Sequence, residues 1–136
     1  MRILVDTDVV SYAYRKDEPF LSFYGPQLSG HTPHVALMTM AELEFGARRR
    51  NWGTRRQEEL RNFVTLHFVE LLPTRETAFL WGRIKAEAEQ NGRQVEAADA
   101  WIAATALEYT VPLMTNNRRD FEFISGLQLI TKAGDS

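Results

Sequence analysis

The chain has 136 residues, 44% of them hydrophobic, which is enough for one apolar core and one independently folding domain spanning 1–136. It contains no cysteine, and this excludes a disulfide framework, a thiolate zinc site and a cysteine nucleophile together. Sixteen Lys and Arg against eighteen Asp and Glu leave a net charge of -2, so any contact with a nucleic acid has to be local.

In chain order, Arg2 to Val5 reads as a short buried strand closed by Asp6, Thr7 and Asp8. Val9, Val10, Ala13 and Tyr14 then carry helical spacing, so this is a strand-to-helix turn. Pro19, Gly25, Pro26, Gly30 and Pro33 punctuate the next stretch, in which Phe20, Leu21, Phe23 and Tyr24 suggest a short helix. Val35 to Met38 is a second strand candidate. Thr39 to Glu42 has capping-box spacing, and Met40, Leu43 and Ala47 line one face of a helix running toward Arg48, Arg49 and Arg50.

Thr54 to Gln57 repeats the box spacing and opens a helix through Leu60, Phe63 and Val64, followed by a strand from His67 to Leu71. Thr74 caps a helix whose Thr77, Leu80, Trp81, Ile84 and Ala88 form one stripe, ended by Asn91 and Gly92. Glu96 to Tyr109 is a further helix, Val111 to Thr115 a strand, Asn116 and Asn117 a turn, and Leu127 to Thr131 a last strand. Strands alternating with helices predict an α/β fold, a three-layer α/β/α sandwich around a mainly parallel sheet. In such sheets ligands bind outside the carboxyl ends of the strands, which directs attention to Asp6, Glu42 and Asn116.

No stretch approaches the roughly 18 apolar residues of a membrane span, and Asp6 comes too early for a signal peptide. A reducing cytoplasm is the expected compartment. His31, His34 and His67 lie far from any serine nucleophile signature, so acyl-transfer triads have no support. The remaining chemistry is carboxylate. Asp6, Glu42 and Asp99 each sit where a strand end or a first helical turn could aim them at one crevice, and oxygen-only ligands select a hard cation such as Mg²⁺ or Mn²⁺.

Each of these residues also has a structural reading. Asp6 could cap the first helix, although Asp8 is present for that purpose. Glu42 could be the reciprocal member of the Thr39 box. Asp99 could serve its helix dipole, but Ala98, Ala100, Ile102 and Ala103 make a surrounding in which a decorative carboxylate is less expected. Asn116 is by default a turn residue and Asp120 a surface charge. Arg48, Arg49, Arg50, Arg55, Arg56 and Arg61, with Arg118 and Arg119, form either a phosphate-facing surface or solvated helix ends.

Three segments taken together resemble a known family: Ile3-Leu4-Val5-Asp6-Thr7-Asp8, Met38 to Ala47 around Glu42, and Asp99 to Leu107 followed by Leu113 to Phe121. They resemble, in order and spacing over nearly the whole chain, the PIN domain in its VapC-type toxin branch. The resemblance implies a Mg²⁺- or Mn²⁺-dependent endoribonuclease that pairs with a VapB-type antitoxin protein and forms a homodimer. Asp6, Glu42 and Asp99 fall on the family's three core acidic ligands, Asn116 where relatives carry Asp or Asn, and Asp120 on a further acidic position of the site. Asp8 departs from the Asn common at its place, which reads as an exchange of one cap for another that also adds charge near the site.

Two rival readings are weaker. Asp6 to Val10 and Leu113 to Asn116 resemble two motifs of haloacid-dehalogenase-like phosphatases, but too little chain follows Thr115 for that family's lysine helix and later acidic pair. A non-catalytic receiver-like domain needs an Asp closing a middle strand, and His67 to Leu72 ends at Pro73 without one. The aromatic stretch Tyr12, Tyr14, Phe20, Phe23 and Tyr24 is core or part of a partner groove.

Overall fold

The computed structural model describes residues 1–132. Five strands form one sheet in the order β3-β2-β1-β4-β5, with every neighbouring pair parallel. They are β1 (Arg2–Val5), β2 (Thr32–Ala36), β3 (Val69–Leu71), β4 (Leu113–Met114) and β5 (Leu129–Ile130). The helices are α1 (Thr7–Arg15), α2 (Gly25–Leu28), α3 (Leu37–Arg49), α4 (Thr54–His67), α5 (Arg75–Gln90), α6 (Ala97–Tyr109) and α7 (Arg118–Phe121), with a π-helical segment at Phe20–Tyr24.

Strand β1 is a run of apolar residues because both faces of a parallel sheet are covered. Ile3 and Val5 join Val9, Val10, Tyr24, Leu43, Leu60 and Val64 in a core under α1, α3 and α4. Leu4 points the other way, into a core with Ile84, Ala88, Ile102, Leu113 and Phe121 under α5, α6 and α7. The expected α/β/α sandwich is therefore observed. Helix α6 is buried nearly all round, and Ala100, Ala103, Ala104 and Ala106 let it lie close between the sheet and α5.

The register of β2 differs from expectation. The sequence predicts a strand over Val35 to Met38, whereas β2 occupies Thr32–Ala36 and pairs Pro33 with Ile3. A proline is unexpected in a central strand, but Pro33 is only the second residue of this one, where the missing N–H costs little. Chain direction then changes at Ala36, and α3 begins at Leu37 without a side-chain cap. The capping box at Thr39 does not form, because Thr39 is already the third residue of the helix and fully buried. The box at Thr54 fails likewise: Gly53 is the cap residue, and the Gln57 side-chain Nε2 donates to the Trp52 carbonyl at 2.7 Å. At Thr74 the cap is real, with its hydroxyl accepting from the Glu76 amide while the Thr77 hydroxyl accepts from the Thr74 amide.

Strand β3 starts at Val69 because α4 runs on through His67, and β5 is shorter than the expected Leu127 to Thr131. Helix α7 is a single turn that starts directly after Asn116 and Asn117, and no apolar periodicity in the sequence marks it. The aromatic stretch belongs to the core: Tyr24 is fully buried, and Tyr12, Tyr14, Phe20 and Phe23 pack against the same cluster. No helix among the described residues is long and apolar enough to cross a membrane.

Candidate active site

Strand order reverses at β1, since β2 and β3 extend the sheet on one side and β4 and β5 on the other. The crevice of such a sheet opens beyond the carboxyl ends of β1 and β4. Asp6 and Thr115 are the first residues past those ends. The Asp6 amide donates to the Met114 carbonyl at 2.9 Å, which extends the β1–β4 pairing one residue into the crevice.

Asp6 is 4% exposed. Its Oδ1 accepts the Thr7 amide at 2.8 Å and its Oδ2 accepts the Thr115 hydroxyl at 2.7 Å. Burial, and next the Asp8 charge, raise its carboxyl to about 8 against the opposing pull of those two hydrogen bonds. Asp99, in the first turn of α6, is half-buried. Burial raises it to about 7, with Asp120, Glu42, Glu96 and Asp8 adding to the rise in that order. The largest charges acting on Asp99 are carboxylates, and Asp8 and Asp99 act on Asp6, so Asp6, Asp8, Glu42, Asp99 and Asp120 share one electrostatic field.

Asp6 is formally the N-cap of α1 as well as a crevice carboxylate. Asp8, in contrast, does not act as the cap that the sequence suggested. It lies in the first turn of α1, accepting the Val9 amide at 2.7 Å on Oδ1 and, across the crevice, the Asn116 amide at 3.0 Å on Oδ2. Burial raises its carboxyl, and backbone hydrogen bonds from Asn116 and Val9 oppose the rise. Glu42 is half-exposed and accepts the Thr7 hydroxyl at 2.7 Å, while the Thr7 and Thr39 hydroxyls lie 3.0 Å apart. Thr7 therefore ties α3 to the start of α1.

Asn116 stands beside this group with both ends of its side-chain amide engaged. Its Oδ1 accepts the Tyr24 hydroxyl at 2.6 Å and its Nδ2 donates to the Tyr12 hydroxyl at 3.2 Å. The buried Tyr24 hydroxyl also accepts the Lys132 amide at 3.1 Å. Asp120 is exposed on α7 at the rim. Among the described residues, no three of His, Cys, Asp and Glu already form a group able to hold a metal ion. Asp8, which the sequence offers as a cap and as added charge beside the site, belongs to it as a second carboxylate two residues after Asp6. Thr7, Thr115 and Tyr24 carry no local signal that marks them as parts of this site.

The basic segment divides. Arg48 and Arg61 both pair with Glu44 at 2.7 Å, and Arg55 pairs with Glu59 at 3.4 Å. The Arg56 guanidinium lies 3.7 Å from the centre of the Trp52 ring. Arg50 instead lines a cleft that starts at Thr7 and Glu42.

Comparison with known proteins bears on this arrangement. The family model described as the PIN domain matches residues 3–126. Ribonuclease VapC2 of Haemophilus influenzae is 30% identical over 130 residues, covering 94% of this chain and 96% of the relative. The tRNA(fMet)-specific endonuclease VapC of Shigella flexneri is 26% identical over 129 residues, with 94% and 96% covered. In fold, the chain is similar to a chain of VapBC2 from Rickettsia felis, solved bound to a DNA fragment from its promoter, with TM-score 0.83, 21% identity, and 96% and 98% covered.

Proposed function

The chain belongs to the PIN domain family, and from that premise we propose that it is a Mg²⁺- or Mn²⁺-dependent endoribonuclease, the toxin of a type II toxin–antitoxin pair. The observation that carries the reading is the gathering of Asp6, Asp8, Glu42, Asp99 and Asp120 in one field at the β1–β4 crevice, in a chain whose relatives are ribonucleases. Two of these carboxyls are raised to about 8 and about 7 by burial first, and next by the charge of Asp8 on Asp6 and of Asp120 on Asp99. A hard dication is the group that relieves such a cluster, and the all-oxygen donor set fits Mg²⁺ or Mn²⁺.

Asp6, Glu42 and Asp99 would hold the metal, with Asp8 the next carboxylate and Asp120 at the rim. Bound there, it would polarise a phosphoryl oxygen and acidify a water for in-line attack on phosphorus. The chain's own residues supply the preorganisation. Thr115 and the Thr7 amide fix both oxygens of Asp6. Thr7 holds Glu42, and the Asn116 amide holds Asp8 against the spread that like charges would otherwise impose. Asn116 would act through this backbone contact, because its side chain is occupied by Tyr12 and Tyr24. RNA is the substrate class, a VapB-type antitoxin the protein partner, a homodimer the expected assembly and the cytoplasm the expected compartment.

The test is cleavage of total RNA with the ends mapped. Mg²⁺ or Mn²⁺ should give 5′-phosphate and 3′-hydroxyl ends, EDTA should abolish cutting, and Asp99→Asn should keep the fold and lose activity. Cutting that persists in EDTA, or an Asp99→Asn variant as active as its parent, would overturn the assignment.

A further inference from the structure

Next to the acidic crevice, between α1, α3 and α4, lies a cleft of about 260 Å³. Thr7 and Glu42 form its inner end, Tyr14 and Trp52 are among its apolar walls, and Arg15 and Arg50 are its cations. Arg15 is paired with Asp17 at 2.8 Å. Arg50 has no ion-pair partner among the described residues, unlike Arg48, Arg55 and Arg61 around it. A second guanidinium, that of Arg56, lies on the Trp52 ring.

We propose that this cleft is a nucleotide subsite, which takes the ribose and unpaired base next to the phosphodiester at the acidic crevice and receives the following phosphate on Arg50. The assignment rests on the ribonuclease reading of the adjacent crevice. The order of chemistry along the cleft matches one nucleotide step of a single strand: carboxylates where a metal-bound phosphodiester would sit, apolar and aromatic walls in the middle, and an uncompensated guanidinium beyond. An unpaired base offers the flat apolar surface such walls accept, and a duplex offers none. Arg supplies the forked donor that a phosphate takes in bidentate fashion.

Gly46 lines the same cleft, and a Cβ placed there would meet only Arg50 Nη1, at 3.4 Å. Gly46→Leu therefore fills the cleft from a helical position where leucine is the better helix former, and it leaves the charge unaltered. Arg50→Ala removes the cation. Cleavage kinetics on a single-stranded oligoribonucleotide should show KM raised with kcat retained in both variants, about tenfold in Arg50→Ala, the loss expected of one charge-assisted contact, and at least as much in Gly46→Leu, where the base is displaced. Binding of the same labelled oligonucleotide by anisotropy, on an Asp99→Asn background, should lose about 0.7 from its salt slope with Arg50→Ala and keep it with Gly46→Leu. Arg55→Ala, outside the cleft, is the control. Unchanged KM and slope in a parent that cleaves would overturn the subsite and leave the nuclease reading intact. Were the parent to cleave nothing with either metal, the nuclease reading would fall, and the anisotropy comparison would still decide the cleft: weaker binding in both variants sustains it and equal binding overturns it. Loss of neutralisation by the co-encoded protein in Gly46→Leu, with RNA cleavage unaltered, would assign the cleft to a protein segment and overturn the proposal.

Discussion

At the residue scale the raised carboxyls make stability depend on pH in a particular sense. Asp6 and Asp99 are near 3.8 in the unfolded chain and reach about 8 and about 7 when folded. Their protonated forms are the ones the fold prefers. The stability they contribute is fully present below about pH 3.8 and is lost as pH rises through 7 and 8. His34, held below its usual range by burial, acts in the opposite direction and only at lower pH. Thermal melts of EDTA-treated protein should therefore fall in Tm between about pH 6.5 and 8.5, the window left clear by the histidine. Asp99→Asn should flatten that fall and stabilise the metal-free protein at pH 8 by on the order of 1–2 kcal/mol, the full shift being discounted for partial exposure. A metal-free Tm that rises or stays level over this range would show that the two carboxyls are not raised. Tyr24→Phe tests the clamp on Asn116. It removes a buried donor at 2.6 Å and leaves the amide oxygen unpaired, so it should cost about 1–3 kcal/mol in denaturant melts.

At the element scale, helix starts separate what local sequence rules can and cannot read. Thr39, Thr54 and Thr74 all carry cap-like spacing, yet only Thr74 caps. The difference is tertiary. At Ala36 the buried strand β2 runs straight into α3, and its burial places the helix start two residues before Thr39. Thr74 follows Pro73 on an exposed turn, where no neighbour overrides the local hydrogen bonds, and its hydroxyl also reaches Glu108 on α6. Thr74→Ala should thus cost about 1–2 kcal/mol, and Thr54→Ala should stay within roughly 0.5 kcal/mol. Equal costs in chemical denaturation would mean that the Thr54 box forms after all. The same logic explains the site. Asp6 was legible because a strand end followed by a carboxylate is a local pattern. The contact of Asp8 with Asn116 was not, because it joins residues 108 positions apart in sequence. Strands and helices were legible from apolar runs and stripes, whereas the start of β2 at Thr32 depended on pairing with β1 across the intervening helices.

At the scale of the whole molecule, a net charge of -2 conceals strong segregation. Asp6 at the end of β1 and carboxylates from α1, α3, α6 and α7 converge beyond the carboxyl ends of the central strands, while much of the arginine charge lies on α3 and α4 and is partly neutralised there by Glu44 and Glu59. The topology does this: a sheet whose strand order reverses at β1 brings the ends of β1 and β4 together, and Asp6 and Asn116 with them. The result is a negative well in which the largest charges acting on Asp99 are all carboxylates. A metal ion and a guanidinium are alternative ways to fill such a well, and they exclude each other because each needs the same carboxylate oxygens. An inhibitory partner that inserts an Arg should therefore compete with metal. Titrating a VapB-type antitoxin, the proposed partner, against RNA cleavage at rising Mg²⁺ should shift its apparent Kd upward in proportion to metal once the metal site saturates. Replacing the inserted Arg by Lys should weaken inhibition, since an ammonium cannot match the forked pairing. An apparent Kd indifferent to Mg²⁺ over a hundredfold range would place the inhibitory contact away from the crevice, on a surface the carboxylates do not control.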